Sequence, residues 1–203
     1  NLYLVEDDQD VLDSLSWMLT GLGYQPSCFL SATSFLEQVE LAQAGIVILD
    51  VQMPAMDGTA LLNHITKANS PLAVIMLSGH GNIAMAVQAI QKGALDFLEK
   101  PVDGDKLVKL LQLAAEKTIE QQQALTAAKA LNDKLDTLTP REHQVMERVL
   151  EGKLNKVIAS ELNIAQRTIE LHRQKVMQKM QVNNVAELAF LVGKNASEVK
   201  GTL

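Results

Sequence analysis

Gly45-Ile46-Val47-Ile48-Leu49-Asp50 is an apolar run closed by a carboxylate, and Val51-Gln52-Met53-Pro54-Ala55-Met56-Asp57-Gly58 follows it directly. A short aliphatic run bounded by turn formers reads as a buried strand. A charge at the mouth of such a strand is costly unless something there needs it. Three other runs end in the same manner: Leu2-Tyr3-Leu4-Val5 leads to Glu6-Asp7-Asp8, Leu72 to Leu77 ends at Ser78, and Leu95 to Leu98 leads to Lys100-Pro101. In a parallel sheet these ends share one edge, so an acid pair, a lone Asp, a hydroxyl and a Lys would converge there. That is the set a metal-assisted aspartyl phosphorylation needs, with Asp50 as the acceptor.

The rest of residues 1–103 fits such a sheet. Strands are expected at 2–6, 25–29, 45–50, 72–78 and 95–100, and helices at 9–22, 31–42, 58–69 and 83–92, with a fifth starting near Gly104. Regular alternation of the two predicts parallel βαβ units and a three-layer α/β sandwich. From Asp105 to Asp136 there is neither Pro nor Gly, and Ala, Leu, Gln, Lys and Glu dominate, which predicts one long helix. Leu111, Thr118, Leu125 and Asn132 recur every seven residues, as do Ala114, Gln121, Ala128 and Leu135. Five of these eight positions are polar or small, so the helix reads equally as a solvated connector or as a dimerising coil.

The last 67 residues, 137–203, read as all-helical. Thr139-Pro140-Arg141-Glu142 supplies an N-cap, a Pro at the first helical position and a capping-box Glu. That helix should stop at Gly152. A short helix from Asn155 to Leu162, a tight turn at Asn163-Ile164-Ala165 and a basic helix from Gln166 to Met180 form a helix-turn-helix pattern. A last helix runs through about Val192, opened by Asn184 and Glu187.

Charge separates the two ends of the chain. Residues 1–103 carry 12 acids and 3 bases, 104–136 carry 5 of each, and 137–203 carry 7 acids and 10 bases. An acidic half joined to a basic half suggests a regulatory domain coupled to a nucleic-acid binder. The single Cys28 excludes an internal disulfide framework and suits a reducing cytosol. No apolar stretch is long enough for a membrane span, and no signal segment opens the chain, so a cytoplasmic protein is expected. The strand pattern begins at residue 2, so a short natural N-terminus is expected to be missing.

At the acidic edge, Mg²⁺ would favour one or two carboxylates, a carbonyl and waters. Glu6, Asp7 and Asp50 provide the carboxylates, and the Gln52 backbone carbonyl is a plausible further ligand. Lys100 can pair with one phosphoryl oxygen, and Ser78 can donate to another. Asp8 reads as a first-turn helix residue favoured by the macrodipole, Asp57 as a helix cap, and His64 and Trp17 as helix-face residues. His80 could face the site or stand in a solvated loop.

Glu6-Asp7, Asp50 with Met53-Pro54-Ala55-Met56-Asp57-Gly58, Ser78-Gly79-His80-Gly81 and Lys100-Pro101 resemble the two-component receiver domain. The resemblance covers residues 1 to roughly 117. It implies a flavodoxin-like doubly wound sheet of order 2-1-3-4-5, which the same general rule assigns to receivers. It further implies that a sensor histidine kinase phosphorylates Asp50, that Asp7 and Asp50 bind Mg²⁺ with Glu6 acting through water, and that Ser78 and Phe97 form a switch pair.

Thr139-Pro140-Arg141-Glu142, Gly152-Lys153, Asn155-Lys156-Val157-Ile158-Ala159 and Thr168-Ile169-Glu170-Leu171-His172-Arg173 resemble the LuxR-type helix-turn-helix over residues 137–193. Both resemblances together point to the NarL/FixJ class of response regulators, FixJ-like proteins above all. The implied partners are the kinase, promoter DNA, RNA polymerase and, on phosphorylation, a second copy of the chain. Glu170, Leu171 and Gln174 share one side of the basic helix, at positions where the family contacts base edges. A Glu can accept from cytosine and a Gln can pair with adenine. Lys153, Lys156, Arg167, Arg173 and Lys175 are expected on phosphates. His172 suits a phosphate contact or a cap on a neighbouring helix. Ala165 stands where the family supplies a capping hydroxyl, which costs that helix about 1 kcal/mol. The final helix resembles the family's dimerisation helix, though Leu188 and Leu191 could equally close the core.

Two other readings are open at this point. A haloacid-dehalogenase-type hydrolase also places a nucleophilic Asp after a strand, but needs a second Asp two residues on, where this chain has Gln52. A receiver serving only as a dimer scaffold would leave an intact acidic site without a use.

Overall fold

The structure is a computed structural model that describes residues 1–79 and 83–200, with side chains of the last helix through Gly193. The chain divides into two compact units, Asn1–Gln123 and Ala124–Leu203.

The first unit contains β1 (Leu2–Val5), α1 (Gln9–Gly21), β2 (Ser27–Phe29), α2 (Ala32–Gln38), β3 (Ile46–Asp50), α3 (Gly58–Lys67), β4 (Ala73–Ser78), α4 (Ile83–Gln91), β5 (Asp96–Glu99) and the start of α5 (Gly104–Asp136). All strand pairs are parallel and the order is β2-β1-β3-β4-β5. β3 and β4 are buried at every residue, as strands covered on both faces must be. Alternation along them feeds two cores. Val47, Leu49, Val74 and Met76 pack with Phe35, Leu61, Leu62 and Ile65. Ile46, Ile48, Ile75 and Leu77 pack with Leu12, Leu15, Leu19, Leu107 and Leu111. The order brings β1 beside β3, with Val5 opposite Leu49, so the acids after β1 lie next to Asp50.

Element limits differ from the sequence expectations at the ends, where hydrogen bonding and not hydrophobicity decides. α2 stops at Gln38 instead of reaching residue 42, because Val39 turns to extended backbone (φ −106°, ψ 128°). β2 begins at Ser27, after Pro26, which cannot donate to a ladder. Asp8 is not inside the first turn: it is the N-cap of α1, and its carboxylate accepts from the backbone N–H of Asp10 and Val11. Asp57 caps α3 through the Ala60 N–H.

α5 explains the imperfect heptad. Leu107, Leu111 and Ala114 are buried in the core of the first unit. Thr118, only 5% exposed, accepts from the Gly45 N–H at 2.9 Å and donates to the Pro71 carbonyl. These positions are thus consumed by the α/β unit and do not belong to a free seam. Further along, Leu131 is buried in the core of the second unit, with Leu135 and Leu138 against it.

That second core belongs to α6 (Pro140–Leu150), α7 (Asn155–Leu162), α8 (Gln166–Met180) and α9 (Val185–Lys200). Val145, Met146, Val149, Ile158, Ile169, Val176, Met180 and Leu188 fill it. The capping box forms as expected: Glu142 N donates to Thr139 Oγ1 and Thr139 N to Glu142 Oε2. Asn163, in the left-handed region (φ 52°, ψ 48°), makes the tight turn between α7 and α8. α9 runs to Lys200, past the expected Val192.

Candidate functional site

The acidic site is assembled at the ends of β1, β3, β4 and β5. Glu6 and Asp50 are 2% and 4% exposed, whereas Asp7 is exposed. Carboxylate oxygens of the three lie within 4.8 Å of one another. Lys100, after β5, puts Nζ 2.5 Å from Glu6 Oε2 and 2.5 Å from Asp50 Oδ1. The Gln52 N–H donates to Asp50 Oδ2 at 2.6 Å. Two buried carboxylates therefore share one ammonium, with the exposed Asp7 carboxylate beside them. Burial pushes the Glu6 carboxyl up, and the neighbouring Asp50 charge adds to this against the pull of Lys100. Burial disfavours the Lys100 cation, yet hydrogen bonds to Asp50 and Glu6 outweigh it and hold its pKa above the ordinary value. Hard oxygen donors in negative excess, half buried and half open to water, fit a divalent cation such as Mg²⁺.

The loop after Asp50 is shaped around this carboxylate. The Val51 N–H donates to Leu77 O at 2.9 Å, and the Gly58 N–H returns to Val51 O at 3.0 Å. A Cβ on Gly58 would lie 2.0 Å from the Asp50 carbonyl oxygen, so only glycine permits that approach. The hydroxyl residue Ser78 is buried at the end of β4, and its carbonyl accepts from the Lys100 N–H at 2.8 Å. Phe97 on β5 is half-buried beside a small cavity of about 100 Å³ that Val51, Thr59, Met76 and Met85 also line. Trp17 is 82% exposed on α1, and His64 is exposed on α3. His80 lies outside the described residues.

In the second unit, α8 buries Ile169, Val176 and Met180 and presents Arg167, Leu171, Gln174 and Lys175 to solvent. Glu170 is half-buried on the same side as Leu171 and Gln174, and its Oε2 accepts from Arg167 Nη1 at 3.1 Å. Ala165 precedes the helix without a side-chain cap, as its missing hydroxyl requires. The other cations differ in freedom. Lys156 is exposed. Lys153 pairs with Glu151 at 2.9 Å and Glu161 at 2.8 Å. Arg173 donates to Asn155 Oδ1 at 3.0 Å, tying α8 to the start of α7. His172 is half-buried, and its Nδ1 is shut away without a hydrogen-bond partner.

A contact that sequence reasoning missed sets the base of α8. Lys179 Nζ donates to Glu142 Oε2 at 2.6 Å and to Thr137 O at 2.8 Å. Glu142 is 3% exposed, and Lys179, followed by the Thr139 N–H, lowers its carboxyl to about 2. The capping box announces Glu142, but nothing in the sequence pairs it with a lysine 37 positions on.

The receiver domain of response regulators matches residues 2–112, and the luxR family of bacterial regulatory proteins matches residues 136–192. The chain is a response regulator. It belongs to the NarL/FixJ type, in which a receiver is joined to a LuxR-type DNA-binding domain. This response regulator is 40% identical to the tetrathionate response regulatory protein TtrR of Salmonella typhimurium, over 97% of its own length and 93% of the relative's. It is 37% identical to the transcriptional regulatory protein FixJ of Bradyrhizobium diazoefficiens, over 94% and 93%. Among solved structures, the response regulator StyR is similar at a TM-score of 0.80 and 34% identity, covering 95% of this chain and 98% of that one. A two-component transcriptional regulator follows from both domains, with a kinase and DNA as the implied partners. Among the described residues no helix is long and apolar enough to cross a membrane.

Proposed function

We propose that Asp50 accepts a phosphoryl group from a sensor histidine kinase, and that this raises the affinity of the chain for promoter DNA. One observation supports the reading above others: Asp50 and Glu6, both buried, compete for one lysine beside the exposed Asp7. Such an arrangement is poor for stability and suited to taking up a cation and a transferred group. Glu6, Asp7, Asp50 and the Gln52 carbonyl would hold Mg²⁺, which neutralises charge on the group in flight. In the transfer the donor's P–N bond breaks, a P–O bond forms at an Asp50 carboxylate oxygen, and the imidazole leaves with the electron pair. Lys100, released from Asp50, then pairs with a phosphoryl oxygen, and Ser78 donates to another. Ser78 moving toward the phosphoryl group lets Phe97 turn inward, which alters the α4–β5 surface and favours a homodimer.

The reading gives the chain a receiver core at 1–103, the fifth receiver helix continuing as linker at 104–136, and a DNA-binding domain at 137–203. Two copies would set two α8 helices on two half-sites in the bacterial cytoplasm, where RNA polymerase is the further partner. Glu170, Leu171 and Gln174 read base edges. Lys153, Lys156, Arg167, His172, Arg173 and Lys175 contact phosphates and fix the register. The test is binding to promoter fragments, with mass in solution, before and after treatment with acetyl phosphate and Mg²⁺. A rise in both is expected; equal affinity in the two states removes the switch while leaving DNA binding intact.

A further inference from the structure

β3 and β4 end at Asp50 and Ser78, the two groups assigned to the phosphoryl site, and their other ends meet at one side chain. Gly45 immediately precedes β3, and Pro71 stands two residues before β4. The Thr118 hydroxyl of α5 bridges them, accepting from the Gly45 N–H at 2.9 Å and donating to the Pro71 carbonyl. A buried hydroxyl at a helix position otherwise filled by Leu111 and Ala114 costs free energy unless fully bonded. Here both of its hydrogen-bonding roles are used, and on the starts of the same two strands.

Those strands cannot flex independently between their ends. They are buried throughout and paired from Ile46–Ala73 to Asp50–Leu77. Close-packed strands move as rigid bodies, so a relative shift at Asp50 and Ser78 reappears at their starts, roughly 16 Å away at 3.3 Å per residue. The space around Gly45 is tight: a Cβ there would come within 3.0 Å of the Tyr3 ring and 3.1 Å of Leu72. The Thr118 hydroxyl, on the helix that continues as the linker, thus meets both strand starts, beside the direct bond from the Ala73 N–H to the Gly45 carbonyl at 2.9 Å.

We propose that Thr118 is a positioning residue that couples the state of the Asp50 site to α5, by sensing the relative placement of β3 and β4. The proposal rests on phosphorylation of Asp50 as read above. By linkage, two states of the site must differ at the clasp if the clasp transmits them. The full-length chain, with and without acetyl phosphate and Mg²⁺, is followed by intact mass and by hydrogen exchange at the Gly45 amide, the donor to Thr118. At least a fivefold change in Gly45 exchange is expected on phosphorylation. Phosphoryl gain with unchanged Gly45 exchange overturns the proposal alone, and absence of phosphoryl gain overturns the Asp50 reading with it. A second arm uses Thr118→Val and Thr118→Ser. Thr118→Val should take up phosphoryl normally yet lose at least fivefold of the phosphoryl-dependent rise in DNA affinity, with Thr118→Ser restoring it to within twofold. A full rise in Thr118→Val contradicts the coupling, and should that variant fail to fold, the Gly45 exchange of the unmodified chain decides.

Discussion

Two lysine–carboxylate centres, one in each unit, have nearly the same contact distance and opposite electrostatics. Lys100 stands 2.5 Å from both Glu6 and Asp50, and the Glu6 carboxyl is pushed up. Lys179 stands 2.6 Å from Glu142, and that carboxyl is held at about 2. The difference lies in how many carboxylates each cation must serve. Glu142 accepts from both Lys179 and the Thr139 N–H, and Lys179's other acceptor, the Thr137 carbonyl, is neutral, so the carboxylate charge is satisfied. At the receiver site two buried carboxylates divide one ammonium while Asp7 adds a third negative charge. A satisfied buried pair holds structure together, and an undersupplied one is kept for a ligand.

The largest way to break the comparison is Asp50→Asn. It should abolish phosphoryl uptake, read by intact mass, and with it the entire rise in DNA affinity, while the free protein stays folded. The next is to remove one carboxylate from each centre. Glu142→Ala strands Lys179 and the Thr139 N–H, so urea unfolding of the DNA-binding domain should show a loss of about 2–4 kcal/mol. Glu6→Gln relieves crowding, and receiver stability should change by no more than about 1 kcal/mol, while Mg²⁺ affinity falls.

Titration sharpens the contrast further. The Glu142 carboxyl lies below its ordinary value of 4.5, so it favours folding at every pH above 4.5, and this support drains away as pH falls toward 2. Glu6 runs the other way: its raised carboxyl favours the fold most below 4.5 and loses that contribution as pH rises through its folded-state value. Hydrogen exchange resolved by domain, between about pH 5 and pH 3, should show α6 and α8 losing about 2 kcal/mol that the Glu142→Gln variant does not lose. The smallest effect is Ala165→Ser, which gives α8 the cap it lacks and should add about 0.5–1 kcal/mol to stability in a thermal melt.

Much of this was legible in the chain. Alternating runs predicted the parallel sheet because β3 and β4 carry unbroken apolar sequence, its order came with the resemblance to receivers, and the acids after β1 and β3 stood out because charge rarely closes a buried strand. What could not be read depended on contacts far apart in sequence. Thr118 looked like a flaw in a heptad, since its partners Gly45 and Pro71 lie 73 and 47 residues away. Lys179 looked like one more cation on a basic helix and turned out to be the half-buried partner of the buried Glu142. Arg173 and Lys153 were expected on phosphates, and in the free protein they also serve Asn155, Glu151 and Glu161. Periodicity identifies which face a residue occupies; it does not say which polar group waits there.

The most direct test of the central claim is peptide-resolved mass spectrometry of the full-length chain after acetyl phosphate and Mg²⁺, with Asp50→Asn and Asp7→Asn alongside. One phosphoryl group on the peptide carrying Asp50, absent from Asp50→Asn and strongly reduced in Asp7→Asn, is the result this account predicts. A phosphoryl group that persists in Asp50→Asn, or uptake independent of Mg²⁺ and Asp7, would contradict it.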